Sequence, residues 1–182
     1  MIGQLDDRQR AALAPHVAGR VVHDLGAGRG GHADELLTLG AAQVEAVDAV
    51  DMRSALKSKP CVRYRRAYFK DYRPESVDVA FVSWPQNNEG TVRDLLPILE
   101  RAATVVYLGK NTDGTMCGTP RLFRHLVGRA LLDYVPARKN VLAVYGASLG
   151  RARAGAELRQ EERAGLSALA AGEPWEDYAE GE

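Results

Sequence analysis

The hydrophobic positions of this chain form short valine-rich runs that alternate with stretches of helical period. Such alternation is typical of a parallel sheet with helices on both faces. The last two runs are joined only by residues 136–140, which are too few for a crossover helix, so we expect an antiparallel hairpin there. The predicted fold class is therefore an α/β sheet of seven strands, mostly parallel with a C-terminal antiparallel hairpin. The strands are predicted at 20–25, 43–47, 61–66, 77–82, 103–108, 129–135 and 139–146.

The helical stretches divide the chain into a body and a C-terminal extension. Helices are predicted at 6–18, 31–39, 89–102, 119–128 and 148–170. We expect residues 1–147 to form one domain with an N-terminal helix, and residues 148–182 to form a helix and an acidic tail. Residues 171–182 hold five acidic residues and no basic one. Trp175 and Tyr178 leave open whether this tail is solvated or docks on the body or a partner.

Composition narrows the class of protein. The 182 residues include 24 Lys plus Arg, 24 Asp plus Glu and 46% hydrophobic residues, which excludes collagen-like and disordered chains. Only two cysteines are present, Cys61 and Cys117, and neither has a CxxC partner. The chain has no run of about 18 uncharged apolar residues, which a membrane span would need. We expect a soluble cytoplasmic protein without a metal site, and the sequence leaves its oligomeric state open.

The most informative motif is the glycine loop that follows the first strand. Closely spaced glycines between a strand and a helix let the backbone approach a ligand, because no Cβ blocks it. Gly26, Gly28 and Gly31 match the dinucleotide pattern GxGxxG, whereas Asp24, Gly26, Gly28 and Gly30 match DxGxGxG, a pattern typical of S-adenosylmethionine sites. The glycines alone do not decide between the two ligands.

Two carboxylates and the chain length favour S-adenosylmethionine. Asp24 is placed to face a ligand ammonium group, and the same charge would repel a pyrophosphate. Asp48, at the end of the second strand, is placed to bridge ribose hydroxyls or, alternatively, to cap a helix. A single domain suffices for methyl transfer, because positioning supplies much of the rate. A nicotinamide-binding protein is the disfavoured alternative.

Together these residues resemble the class I, Rossmann-like S-adenosylmethionine-dependent methyltransferases over residues 20–147. The resemblance implies that Asp24, Gly26, Gly28, Gly30 and Asp48 bind the cofactor. The family's adenine-contacting motif falls in residues 67–71, where Tyr68 stands in place of the usual acid. We expect Phe69 against the adenine face, unless it is ordinary core, and Asp71 as a candidate for the adenine amino group.

The resemblance also implies an acceptor site at the end of the fourth strand, where Ser83, Trp84 and Pro85 are the candidate catalytic residues. Amino-group methyltransferases carry a polar residue and prolines there, and the set is similar to a little-characterised branch with Ser-Trp-Pro. Trp84 is interpreted either as a stacking surface or as a lid on the core. The predicted function is methyl transfer to an unknown acceptor, with nitrogen as one candidate. The alternative is a catalytically silent module that acts by association with nucleic acid or protein.

Residues 53–73 form a basic stretch that the net charge of zero does not reveal. They hold eight Lys or Arg and one acid, interleaved with Tyr64, Tyr68, Phe69 and Tyr72. Basic residues for phosphates and aromatic residues for bases are typical of a nucleic-acid surface. The alternative is an edge strand that its charges keep from aggregating. Both interpretations place the third strand at or near an edge of the sheet.

Overall fold

The computed structural model describes residues 4–50, 60–110, 117–137 and 140–148. Seven strands are present, close to the predicted bounds: β1 (Val21–Leu25), β2 (Gln43–Asp48), β3 (Val62–Arg66), β4 (Val77–Ser83), β5 (Ala102–Gly109), β6 (Arg129–Pro136) and β7 (Val141–Ser148). Four helices accompany them: α1 (Asp7–Val17), α2 (Gly31–Thr38), α3 (Glu89–Arg101) and α4 (Pro120–Leu126). A 3-10 helix at Phe69–Asp71 was not predicted. Apart from Ser148, the predicted C-terminal helix and acidic tail lie outside the described residues, as do residues 53–59 of the basic stretch.

The strands form one sheet in the order β3-β2-β1-β4-β5-β7-β6. The five strands from β3 to β5 pair in parallel, whereas β7 pairs antiparallel with both β5 and β6. The predicted fold class, a Rossmann-like sheet closed by an antiparallel hairpin, is therefore confirmed. The direction of chain progression reverses between β1 and β4, which is where α/β sheets place their ligands.

Helices cover both faces of the sheet, because alternate strand residues point to opposite sides. On one face, Val22, Val44 and Phe81 pack with Leu13 of α1 and Leu36 of α2. On the other face, strand residues pack with α3 and α4; they include Leu25, Val82 and Tyr107. The mid-helix Pro97 does not end α3, which runs on to Arg101.

β3 is an edge strand, as its charges predicted. Arg63 and Arg65 lie on one face and both contact Glu45 of β2, at 3.6 and 2.7 Å. Glu45 is buried, so these two arginines compensate a carboxylate that would otherwise be costly inside the sheet. The same pairing reduces the charge they can offer to another partner.

No helix among the described ranges is long and apolar enough to cross a lipid bilayer. The cytoplasmic location remains a prediction from the sequence.

Candidate functional site

The glycine loop folds tightly over the end of β2. Gly26, Gly28 and Gly30 all have positive φ, at 84°, 53° and 67°, a region that side chains with a Cβ rarely adopt. The amide of Gly26 donates to the carbonyl of Val47 at 2.9 Å, and that of Gly28 donates to Asp48 Oδ2 at 2.9 Å. The sequence needs glycine at these positions because the loop must turn left-handed three times.

A cavity of about 590 Å³ opens beside this loop, at the carboxyl ends of β1, β2 and β4. Its size lies in the range of small-molecule sites. The structure brings six of the predicted site residues together in its wall: Gly26, Asp48, Phe69, Ser83, Trp84 and Pro85. The candidate nucleotide-binding residues and the candidate acceptor residues thus share one cavity, which we call the first cavity.

Four predicted cofactor residues do not line the first cavity. Gly28 and Gly30 shape the loop behind it, and Asp24 is fully buried on β1. Asp71 lies two residues after Phe69 in the 3-10 helix and lines a second, separate cavity. Its place against the adenine amino group therefore stays a prediction that this geometry does not support.

Asp24 carries the strongest electrostatic signal near the site. Neither of its carboxylate oxygens has a hydrogen-bond partner within the described parts of the chain. The pKa of Asp24 is raised to about 6, chiefly by burial, while His32 lowers it and the charge of Asp48 raises it. A buried carboxylate without a partner is costly and gains from any cation that comes within reach.

Asp48 already has two backbone partners. Its Oδ2 accepts from Gly28 and its Oδ1 accepts from the amide of Val50 at 2.9 Å. A carboxylate offers about four acceptor sites, so both oxygens can still accept from a ligand hydroxyl. The side chain is half-buried in the cavity wall.

Trp84 is held in an unusual conformation at the end of β4. Its φ is +48°, the one positive value at a non-glycine residue within the described ranges. Its amide donates to the carbonyl of Leu108 at 2.7 Å, while the indole Nε1 is buried and has no hydrogen-bond partner among the described residues. Backbone strain of this kind clusters at functional sites, and a buried donor without a partner is uncommon in folded proteins.

Hydrogen bonds to the Tyr107 hydroxyl hold the two described ends of the loop that follows β5, beside the acceptor residues. The Tyr107 hydroxyl lies within hydrogen-bond reach of the carbonyls of Lys110 and of Cys117, the latter at 2.9 Å. Burial raises the pKa of both Tyr107 and Cys117, so both remain protonated at neutral pH. Neither Lys110 nor Cys117 lines the first cavity. Residues 111–116, including most of the predicted glycine-rich loop, lie outside the described residues.

Sequence reasoning placed Phe69 in the site but missed the contribution of α3 and of Lys70 to the first cavity. Thr91, Arg93 and Asp94 from the start of α3 line it, as do Tyr68 and Lys70. Asn88 begins α3 by accepting from the amide of Thr91 at 2.9 Å. The place of α3 in the chain could have indicated this contribution, because a helix that follows β4 must begin at the edge of the sheet where β4 ends.

A second cavity of about 800 Å³ lies on the α3 and α4 face of β1, β2 and β3. His23, Glu45 and Tyr72 form its buried floor, with His23 Nδ1 2.7 Å from the Tyr72 hydroxyl. Burial lowers the pKa of His23 and raises that of Tyr72 to about 12, so both are neutral at pH 7. Four arginines line the second cavity: Arg63, Arg65, Arg66 and Arg73.

No cluster of His, Cys, Asp or Glu suited to a metal ion occurs in the described ranges. No known family model and no curated protein sequence matches the chain.

Solved structures share the fold at low sequence identity. A 1,6-didemethyltoxoflavin-N1-methyltransferase from Burkholderia thailandensis, solved with its substrate and S-adenosylhomocysteine, is 19% identical with a TM-score of 0.58, covering 79% of this chain and 78% of that one. A proposed RNA methyltransferase from Pyrococcus horikoshii is 17% identical with a TM-score of 0.58, over 78% and 83%. An S-adenosylmethionine-dependent methyltransferase from Mesorhizobium loti is 16% identical with a TM-score of 0.55, over 76% and 96%. The fold of this chain is thus that of class I methyltransferases.

Proposed function

We propose that this protein is an S-adenosylmethionine-dependent methyltransferase. One observation carries the proposal: the first cavity joins the glycine loop and Asp48 on one side to Ser83, Trp84 and Pro85 on the other. Methyl transfer needs a cofactor and an acceptor side by side, with little additional chemistry from the protein. The likeness to methyltransferase structures supports the same reaction class.

The residues of the first cavity fit this cofactor. A Cβ at Gly26 would stand 3.9 Å from Phe69 Cζ, so the missing side chain leaves an open slot against an aromatic ring. We assign the adenosine to this slot and the ribose hydroxyls to Asp48. Asp24 lies behind the loop rather than in the cavity wall, and its carboxylate has no partner among the described residues. We assign it to the ammonium of the methionine moiety, since that cation would favour its ionised form. When bound, S-adenosylmethionine supplies a methyl group on a positively charged sulfur.

We assign the acceptor to the end of β4, with nitrogen as the methylated atom. The two acidic residues of the cavity wall are Asp48 and Asp94, and Asp94 pairs with Arg93 at 3.1 Å. An amine acceptor needs no strong base: its lone pair would form the new bond to the methyl carbon as the methyl–sulfur bond breaks, S-adenosylhomocysteine would leave as a neutral thioether, and the surplus proton would pass to water. Ser83 is placed to accept from the NH2 group and Trp84 to contact its ring. We also propose that the chain belongs to the little-characterised branch with Ser-Trp-Pro after strand four, a membership that does not by itself identify the acceptor.

Calorimetric titration tests the cofactor assignment. We expect S-adenosylmethionine and S-adenosylhomocysteine to bind, and NAD not to bind. Asp48→Ala should weaken both adenosyl ligands by about 10- to 100-fold, because hydrogen bonds to a charged acceptor contribute about 1.5 to 3 kcal/mol each. The exposed Asp34 of α2 provides the control, since Asp34→Ala should leave the affinity unchanged. Binding of NAD alone, or equal affinity of the Asp48→Ala protein, would refute the assignment.

A transfer assay separates an enzyme from a silent module. Protein incubated with tritiated S-adenosylmethionine and fractionated cell extract should label a product, and Trp84→Ala should lose the label while still binding S-adenosylhomocysteine. Cofactor binding without a labelled product in any fraction would instead indicate a silent module, which no finding favours at present.

A further inference from the structure

The two cavities are neighbours on the surface. Ala67, between β3 and the 3-10 helix, lines both of them. A small acceptor would be contained in the first cavity alone. An extended ligand whose reacting group entered the first cavity can leave it across the segment from Arg66 to Arg73, where the two cavities meet.

Three cations on this segment lack a carboxylate partner in the described parts of the chain. Arg66 Nε lies 3.3 Å from the carbonyl of Ala49, and Arg73 Nη1 lies 3.1 Å from that of Tyr72, so within the described ranges both bind backbone oxygens only. Lys70 Nζ lies 5.7 Å from the ring centre of Tyr68. Their charges are available to an anion, in contrast to those of Arg63 and Arg65.

The charge changes sign along the second cavity. Glu75 and Asp78 line it at the amino end of β4, far from the first cavity along the strand direction, whereas Arg66 lies at the carboxyl end of β3. Asp71 is the one acidic residue in the sequence from Arg66 to Arg73, and Asp48 stands opposite Arg66 in the register of β2 and β3. A polyanion would therefore be attracted most strongly where the second cavity meets the first.

An exposed aromatic ring stands at the same junction. Tyr68 is 63% exposed and lines the first cavity, which also contains Trp84. Exposed aromatic rings beside free cations are the combination that binds unstacked bases and the phosphates between them. An acidic peptide would use the cations and leave the ring unused.

We propose that the acceptor is a base within single-stranded nucleic acid, which docks with its phosphates on Arg66, Lys70 and Arg73 and stacks a base on Tyr68. A base inside a duplex could not reach the end of β4 without leaving its stack, which favours a single strand. The inference rests on the proposed function for the identity of the reacting cavity, and it adds the substrate class.

Fluorescence anisotropy tests the surface with the full chain and labelled oligonucleotides of about 12 nucleotides, a length within the range for such sites. Single-stranded RNA and DNA of one sequence, the RNA duplex and polyglutamate are compared between about 50 and 200 mM salt. We expect either single strand to bind with steep salt dependence and more tightly than duplex or polyglutamate. A preference for RNA or for DNA would identify the sugar that is recognised. No salt-dependent binding, or tighter binding of duplex or polyglutamate, would overturn the proposal.

Matched variants locate the surface. Arg66→Glu with Arg73→Glu should weaken single-strand binding by on the order of tenfold or more and reduce the salt slope by about 1.4, which is two cations at about 0.7 each. The control pair, Arg8→Glu with Arg20→Glu, changes the net charge by the same amount but lies on the α1 and α2 face. It should have little effect on single-strand binding. Equal losses from both pairs would overturn the location.

The aromatic contribution is tested separately. Tyr68→Ala should lose about tenfold in single-strand affinity, whereas Tyr68→Phe should retain it. Equal binding by Tyr68→Ala would overturn the stacking role. Each variant is also titrated with S-adenosylhomocysteine, because a specific loss of nucleic-acid binding requires intact cofactor binding. If the parent protein binds S-adenosylhomocysteine but no single strand, only the substrate class is refuted. A protein that binds neither adenosyl ligand refutes the proposed function instead.

Discussion

Two residues beside the first cavity are held in states that cost free energy. Among the described residues, the buried carboxylate of Asp24 has no partner and the buried indole N–H of Trp84 has no acceptor, and Trp84 also has a positive φ. Both lie at the switch point of the sheet, which is the pattern expected where binding or catalysis, rather than stability, sets the local structure.

Asp24 predicts a pH dependence of stability. Its folded pKa, about 6, lies above the ordinary value of 3.8, so the folded chain binds the proton more tightly than the unfolded chain. The resulting stabilisation is full below about pH 4 and is lost as the pH rises through 6. At 1.36 kcal/mol per pKa unit, the loss is about 3 kcal/mol.

The substitution Asp24→Asn should remove this loss. We expect its free energy of unfolding, measured by urea denaturation, to gain up to about 3 kcal/mol relative to the parent protein between pH 4 and pH 8. Asp34→Asn, at an exposed carboxylate, serves as the control. Identical pH profiles for parent and Asp24→Asn would show that Asp24 is already compensated in the folded protein.

The backbone conformation of Trp84 predicts that replacement by glycine lowers the stability less than replacement by alanine. Because φ is +48°, glycine fits the backbone at this position better than alanine does, by about 1 to 2 kcal/mol. Trp84→Gly should therefore be more stable than Trp84→Ala, although both lose methyl transfer. Urea denaturation of the two variants makes the comparison. A more stable alanine variant would show that the backbone relaxes once the indole is removed.

At the scale of elements, one buried arginine links strands and a helix on the α3 and α4 face of the sheet. Arg129, at the start of β6, donates to the carbonyls of Gly146, Leu99 and Ala102 at 2.7, 3.0 and 2.5 Å. These carbonyls belong to β7, to the end of α3 and to the start of β5. A single guanidinium thus joins the hairpin to the helix whose first turn lines the first cavity, and burial lowers its pKa.

Arg129→Met should destabilise the fold by about 3 to 5 kcal/mol, because three buried carbonyls lose their donors. Arg129→Lys keeps the charge but cannot reach three carbonyls, so it should lie between methionine and the parent protein. The exposed Arg121 of α4 supplies the surface control, with an expected change within about 0.5 kcal/mol for Arg121→Met. Chemical denaturation measures all three variants, and a loss below about 1 kcal/mol for Arg129→Met would contradict the linking role.

At the scale of the whole molecule, the first cavity couples the strands on both sides of the switch point. Its wall includes residues from the ends of β1, β2 and β4 and from the start of α3. A ligand that fills it contacts elements far apart in sequence, so it should stabilise the native state as a unit.

S-adenosylhomocysteine at about 100 times its dissociation constant should stabilise the protein by about 2.7 kcal/mol. For a chain of this size the thermal midpoint should rise by about 5 to 10 °C. NAD at the same concentration should leave it unchanged. A thermal melt followed by circular dichroism gives the result, and an unchanged midpoint with S-adenosylhomocysteine would contradict the assignment of the cavity.

The sequence by itself determined the strands, the hairpin and the glycine loop, because each depends on local pattern: β-branched runs, a five-residue link, and glycines where φ must be positive. The charged edge strand followed for the same reason. Only the tertiary structure decided which residues meet. It separated Asp71 from Phe69, although they are two residues apart, because the 3-10 helix turns them into different cavities. It paired Arg63 and Arg65 with Glu45, which left Arg66, Lys70 and Arg73 as the available cations. The net charge of zero therefore conceals a cationic surface that depends on strand register, and register is a property of the folded sheet.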